Sequence, residues 1–320
     1  MNVGRASGRD RLTCRPLLRA LRCLIWVDLV LQGSLTAYAQ ELEPRAYANA
    51  PIGMNFLLAG AGHSQGSLLF DPAVPIQGAD AQVDLGLLGY VHSLAVADKS
   101  AKFGLVLPYA WLDATGYVDG TYQERKVSGI ADPVFLVSVN FCGAPALTLD
   151  EYSRYRQDTI VGATLKVTAP LGQYDEDRLL NIGTHRWSFK PEIGVSQALG
   201  KWIVEGAAAV SWYTANNDFF GGQQLKQDPI YSLQAHVVYD FTRGFWVAVD
   251  TTYYTGGVTT MNGVRKDNRL DNWRSGLTIA VPINRQNSIK LAGSTGISTR
   301  TGTDFNAFML IWQYRWGGGL

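Results

Sequence analysis

NAFMLIWQYRW, residues 306–316, alternates in steps of two. Phe308, Leu310, Trp312, Tyr314 and Trp316 fall on one face, and Met309, Ile311, Gln313 and Arg315 on the other. A period of two is the mark of a β-strand whose faces meet different surroundings. Five bulky residues on one face of the last strand suit hydrocarbon better than a core, because a terminal strand in water frays.

The same rhythm recurs through the chain. Phe103, Leu105, Leu107, Tyr109 and Trp111 alternate, as do Phe135, Val137, Val139 and Phe141. Tyr231, Leu233, Val237, Tyr239 and Phe241 oppose Ser232, Gln234, His236 and Asp240. Near the start, Ile52, Met54, Phe56 and Leu58 form one bulky set. Val83, Leu85, Leu87 and Val91 form another, opposite Asp84, Gly86 and His92. The bulky set of each strand is assigned to lipid and the other to a lumen. Helical periodicity is confined to 146–157, and no later segment has the roughly 20 apolar residues of a spanning helix.

Two features separate a membrane barrel from a soluble sandwich. Aromatics gather at strand ends, as Trp202 and Trp212 do around one strand, which is where interfacial girdles belong. Connections also alternate: 63–80, 114–128, 170–186, 214–229 and 255–271 are long, while 96–101, 198–201, 242–244 and 282–287 are short. The reading is all-β: a transmembrane antiparallel up-and-down barrel of about twelve strands.

The first 39 residues carry six arginines and two aspartates, then an apolar run and Ala37-Tyr38-Ala39. That order reads as a signal peptide over 1–39, cleaved near Ala39, before a single barrel domain over 40–320. The rest is slightly acidic and charged residues are only 17%, so nothing points to nucleic acid.

GIADPVFLVSVN (129–140), TLKVTAPLGQYD (164–175), NIGTHRWSFKPEIGVSQALG (181–200) and the run 282–316 together resemble the phenol-degradation meta-pathway outer-membrane protein family. The resemblance covers about 47–316. It implies an outer-membrane barrel that admits small hydrophobic, often aromatic, molecules, and it brings no catalytic residues.

The inward ionisable set is the candidate path: Asp84, His92, Asp132, Lys166, Lys190, Glu192, Glu205, His236, Asp250, Arg274, Lys290 and Arg315. These groups either pair across a narrow lumen or meet substrate. Lys166, Lys290 and Arg315 are the first to test against an anionic or phenolic ligand. The trio Asp175, Glu176 and Asp177 reads as a solvated loop tip rather than a cation site, and FFGGQQ (219–224) as a loop at the mouth. No metal, cofactor or catalytic set is expected. The expected partners are outer-membrane lipid, a small hydrophobic molecule and the barrel insertion machinery. A structural or adhesive barrel and a lipid-modifying enzyme remain alternatives at this level. Pro108, Pro133 and Pro191 mark places where the wall can open sideways.

Overall fold

The computed structural model describes residues 43–69, 76–118 and 121–320; the segment 1–39, read from the sequence as a signal peptide, lies outside them. The strands are β1 (Met54–Leu69), β2 (Ile76–Val96), β3 (Lys99–Val118), β4 (Thr121–Ile130), β5 (Val134–Cys142), β6 (Thr159–Thr168), β7 (Ser188–Leu199), β8 (Trp202–Tyr213), β9 (Asn216–Phe219) and β10 (Gln223–Gln227). They continue as β11 (Ile230–Thr242), β12 (Phe245–Gly256), β13 (Thr259–Met261), β14 (Val264–Arg265), β15 (Leu270–Pro282), β16 (Asn287–Ser298) and β17 (Gly302–Gly317). Helix α1 (Leu149–Arg154) lies between β5 and β6.

Twelve strands close a ring among the described residues: β1, β2, β3, β5, β6, β7, β8, β11, β12, β15, β16 and β17, with β17 paired back onto β1. All neighbours are antiparallel, and the closing register runs from Met54↔Gly317 to Leu69↔Gly302. Closure removes the edges from the twelve-strand ring, as hydrocarbon demands of backbone N–H and C=O groups, and leaves only the outer edge of β4 in this sheet without a strand partner among the described residues. The quoted stretch closes the ring with Phe308, Leu310 and Trp312 exposed outward. Tyr314 and Trp316 stack 5.5 Å apart, and Trp316 packs against Tyr90 of β2.

The 146–157 pattern does form a helix. Thr148 caps α1, and the Glu151 side chain accepts from the Thr148 N–H in a capping box. Residues 121–130, partly placed in an outer loop by the sequence, instead form β4, which pairs with the outer half of β3. Charged residues such as Glu124, Arg125 and Lys126 hide its alternation. A second sheet, ordered β14-β13-β10-β9, is built from the two loops that follow β8 and β12. FFGGQQ is the tip of its β9–β10 hairpin.

Side-chain direction matches expectation around most of the ring, with a polar inner face and bulky exposed residues outside. On β1 and β2 the assignment is reversed. A Cβ on Gly60 would lie 3.0 Å from Leu87 and 3.2 Å from the inward Ile311, and one on Gly62 would lie 3.1 Å from Met309. Phe56, Leu58, Leu85, Leu87 and Val91 therefore face the lumen, and Leu88 and Tyr90 face out. Both faces of β2 are apolar, so bulk alone points the wrong way.

Candidate functional site

The lumen has two unlike halves. From β6 to β15 the inner face is polar and tightly buried, with Lys166, Lys190, Glu192, Glu205, His236, Asp250 and Arg274 all at most 9% exposed. His236 Nδ1 lies 2.7 Å from Asp250, whose other oxygen accepts from Thr278 at 2.6 Å. The hydroxyl therefore sits on the acid and not on the imidazole, which is not the nucleophile–base–acid order of a hydrolase. Glu205 accepts from Ser196, and Arg274 donates to Ser294 and to the Phe305 carbonyl. Such pairing is what buried charge requires.

The other half, from β17 through β1, β2 and β3 to β5, is apolar. Phe56, Leu58, Leu87, Val91, Leu136 and Ile311 line it, half-buried rather than packed shut. Glycines set between them keep the wall thin: a Cβ on Gly104 would meet both Leu136 and Val91 at 3.2 Å.

The segment leading into β1 lies inside the barrel against the polar half. Glu43 pairs with Lys166 at 2.8 Å, and Arg45 pairs with Asp240 and donates its N–H to Glu205. The Tyr47 hydroxyl donates to Glu192 at 2.9 Å, and its carbonyl accepts from Asn140. Lys102 donates to the carbonyls of Ala46 and Ala48. The Tyr47 ring rests on Gly162 and Gly194, where a Cβ would lie 2.6 and 2.1 Å from ring carbons. No periodicity in this short segment announces an internal plug.

A third feature is the break between β4 and β5. The partner of β3 changes from Val134 at Val106 to Ile130 at Tyr109, and Pro108, which has no N–H, sits at the change. Strand β6 ends at Thr168 opposite Val134, so the free edge of β4 has no ladder partner. The loop after Thr168 fills the space. Ala169 N–H donates to the Pro133 carbonyl and Gln173 N–H to the Ile130 carbonyl. Fully buried Asp132 accepts from Gly172 N–H, Thr184 N–H and the Thr184 hydroxyl. Leu107 and Tyr109 are exposed beside the break, which puts it at membrane depth. The β7–β8 register likewise skips Pro191, passing from Phe189↔Trp212 to Glu192↔Ala209.

Of the expected lumen set, Lys166, Lys190, Glu192, Glu205, His236, Asp250, Arg274 and Lys290 face inward. Lys290 stands opposite Ile311 at the margin of the apolar half. Asp84 and His92 do not face inward, because the β2 faces are reversed. Asp84 pairs outside with His63 at 2.7 Å, and His92 bonds Asn55 beside Tyr90 near the opposite rim. Arg315 faces inward but is held at the rim, donating to the carbonyls of Arg285 and Gln286. Asp175 contacts Arg178 at 3.8 Å, and no metal-holding cluster exists among the described residues. Asp132 is a wall latch rather than a lumen group.

The chain matches the model of the MetA-pathway of phenol degradation family over residues 60–311, and it belongs to that family. Its fold is similar to the crystal structure of the COG4313 outer membrane channel from Pseudomonas putida F1, with a TM-score of 0.74 and 21% identity over 86% of this chain and 100% of that one. It also resembles the beta domain of the Bordetella autotransporter BrkA, with a TM-score of 0.50 and 12% identity over 83% and 100% of the two chains. No curated protein matches the sequence.

Proposed function

We propose that this member of the family is an outer-membrane channel for passive entry of small hydrophobic compounds, phenol-like aromatics among them. The observation that carries the reading is the apolar luminal arc formed by Phe56, Leu58, Leu87, Val91, Leu136 and Ile311. An aqueous pore has no use for an apolar inner wall, since unbonded water is costly there and apolar solutes are favoured. The similar COG4313 barrel is described as an outer membrane channel, which supports the same role here.

Entry begins at the outer loops, where the 169–187 segment and the β9–β14 sheet frame the mouth. The solute then follows the arc. It leaves toward the periplasm or sideways into lipid where β4 and β6 are joined by loop bonds instead of a ladder. Each step is driven by the solute's own gradient, with no covalent chemistry. The test is entry of phenol into proteoliposomes and into a deletion strain carrying the gene. Entry should exceed protein-free controls and fall with Leu87→Gln. Equal entry in all cases would refute transport in favour of a structural role.

A further inference from the structure

Lys166 and Lys190 are direct cross-strand partners on β6 and β7, and both point inward. Opposed like charges of this kind stand about 5 Å apart at Cβ and repel. Both residues are at most 9% exposed, so water screens them little. Lys190 stands 3.9 Å from Glu192, and its ammonium has no hydrogen-bond partner among the described residues. Glu192 itself is taken up by Tyr47 and Gln234. Among the described residues, an anion that meets this pair comes from outside the wall: Glu43, 2.8 Å from Lys166. The Glu43 side chain remains 41% exposed, so another anion has access to its place.

We propose that Lys166 and Lys190 form a carboxylate-binding site in the lumen, that Glu43 occupies it as an intramolecular stand-in, and that its exchangeable ligand is an organic monocarboxylate with an apolar body. The apolar requirement comes from the neighbours. Lys166 is paired with Leu136, so the lysine pair borders the apolar arc. A bound ligand places its carboxylate on the ammonium groups and its body on that arc. Only the Glu43 side chain has to yield, because Tyr47 and Arg45 hold the rest of the segment independently. The inference rests on the channel reading for access from outside and refines its substrate class.

The test uses the full-length protein in detergent, with calorimetric binding of benzoate and of its neutral isostere benzamide. A charge-assisted bond to a buried ammonium favours benzoate by about tenfold or more. Glu43→Gln removes the internal competitor and should tighten benzoate while leaving benzamide unchanged. The Lys166→Met/Lys190→Met double variant should erase the preference. Heat-modifiable gel migration verifies that each variant is a folded barrel. Equal binding of the two probes, or no gain with Glu43→Gln, would overturn the site. Phenol entry into proteoliposomes separates the two ideas: entry without a benzoate preference sinks only the anion site, and a preference without entry sinks only transport.

Discussion

Replacing Asp132 by alanine should release the loop that closes the wall between β4 and β6. The carboxylate is fully buried and accepts from Gly172 N–H at 2.8 Å, Thr184 N–H at 2.8 Å and the Thr184 hydroxyl at 2.6 Å. Hydrogen bonds to a charged group are worth roughly 1.5–3 kcal/mol each, and donors left buried carry their own penalty. Because part of the loop can turn to water once freed, about 3–5 kcal/mol of local stability is at stake. At about 1.4 kcal/mol per tenfold, the released state gains roughly two to three and a half orders of magnitude in population. Hydrogen exchange read by mass spectrometry should show the 169–187 amides speeding by that factor, with β6 and β7 unchanged. Asp132→Asn keeps an oxygen for Gly172 but turns an amide N–H toward the Thr184 donors, so it should fall between. If 169–187 exchanged at the wild-type rate in Asp132→Ala, the latch would be refuted.

Three further outcomes are expected. Gly194→Val puts a Cβ 2.1 Å from the Tyr47 ring and should expel the plug, raising single-channel conductance in planar bilayers; Gly206→Ala, with no neighbour nearer than 3.8 Å, should not. Leu88→Lys on the lipid face should destabilise the barrel by about 2–4 kcal/mol in urea unfolding from vesicles, while its inward neighbour Leu87→Gln should cost less and slow phenol entry; the reverse order would restore the bulk-based facing of β2. The Thr148 N–H and then its side chain hold the Glu151 carboxyl below the usual glutamate range. A depressed folded pKa means the cap is complete above the unfolded value and is lost as pH falls through the lowered one. Protection of the Tyr152 amide, which bonds the Thr148 carbonyl, should therefore fall toward acid, its exchange approaching the intrinsic rate, and Glu151→Gln should abolish that trend.

The barrel was legible because lipid and lumen impose different chemistry on alternate residues, as in Tyr231–Phe241 against Ser232–Asp240. Where the lumen is itself apolar, that contrast vanishes. On β2 the inward Leu85, Leu87 and Val91 compete with the outward Leu88 and Tyr90, and no rule of bulk can choose between them. Asp84 and His92 were placed in the lumen by that rule, and both belong to the outer face near a rim, where polar side chains reach water or headgroups. The plug was illegible for a different reason. Residues 43–53 have no regular period, and their partners lie on strands up to 195 residues away in sequence. The wall break was half visible: Pro108 and Pro133 mark missing donors, but only pairing shows that β4 loses its second neighbour.

On the proposed reading, the asymmetry of the lumen also accounts for how a plugged barrel would pass a hydrophobic solute. The charged half cannot balance itself locally, since Lys166 faces Lys190 across the ladder and Lys102 has carbonyls of the plug as its acceptors. Ejecting the plug would strip Lys102 of these carbonyls and Lys166 of Glu43, a cost of several kcal/mol for buried charge. The plug is therefore a standing part of the wall and not a loose stopper. Its charged and hydroxyl side chains contact Lys166, Glu192 and Asp240 on the polar half, where its Arg45 N–H also meets Glu205, and its carbonyls take Lys102 and Asn140 from β3 and β5. The arc of Leu58, Leu87 and Ile311 offers no donor or acceptor side chain that would hold the segment there. Ions and water, which need the charged half, meet the obstruction, whereas an apolar solute has a wall of its own kind to follow past it.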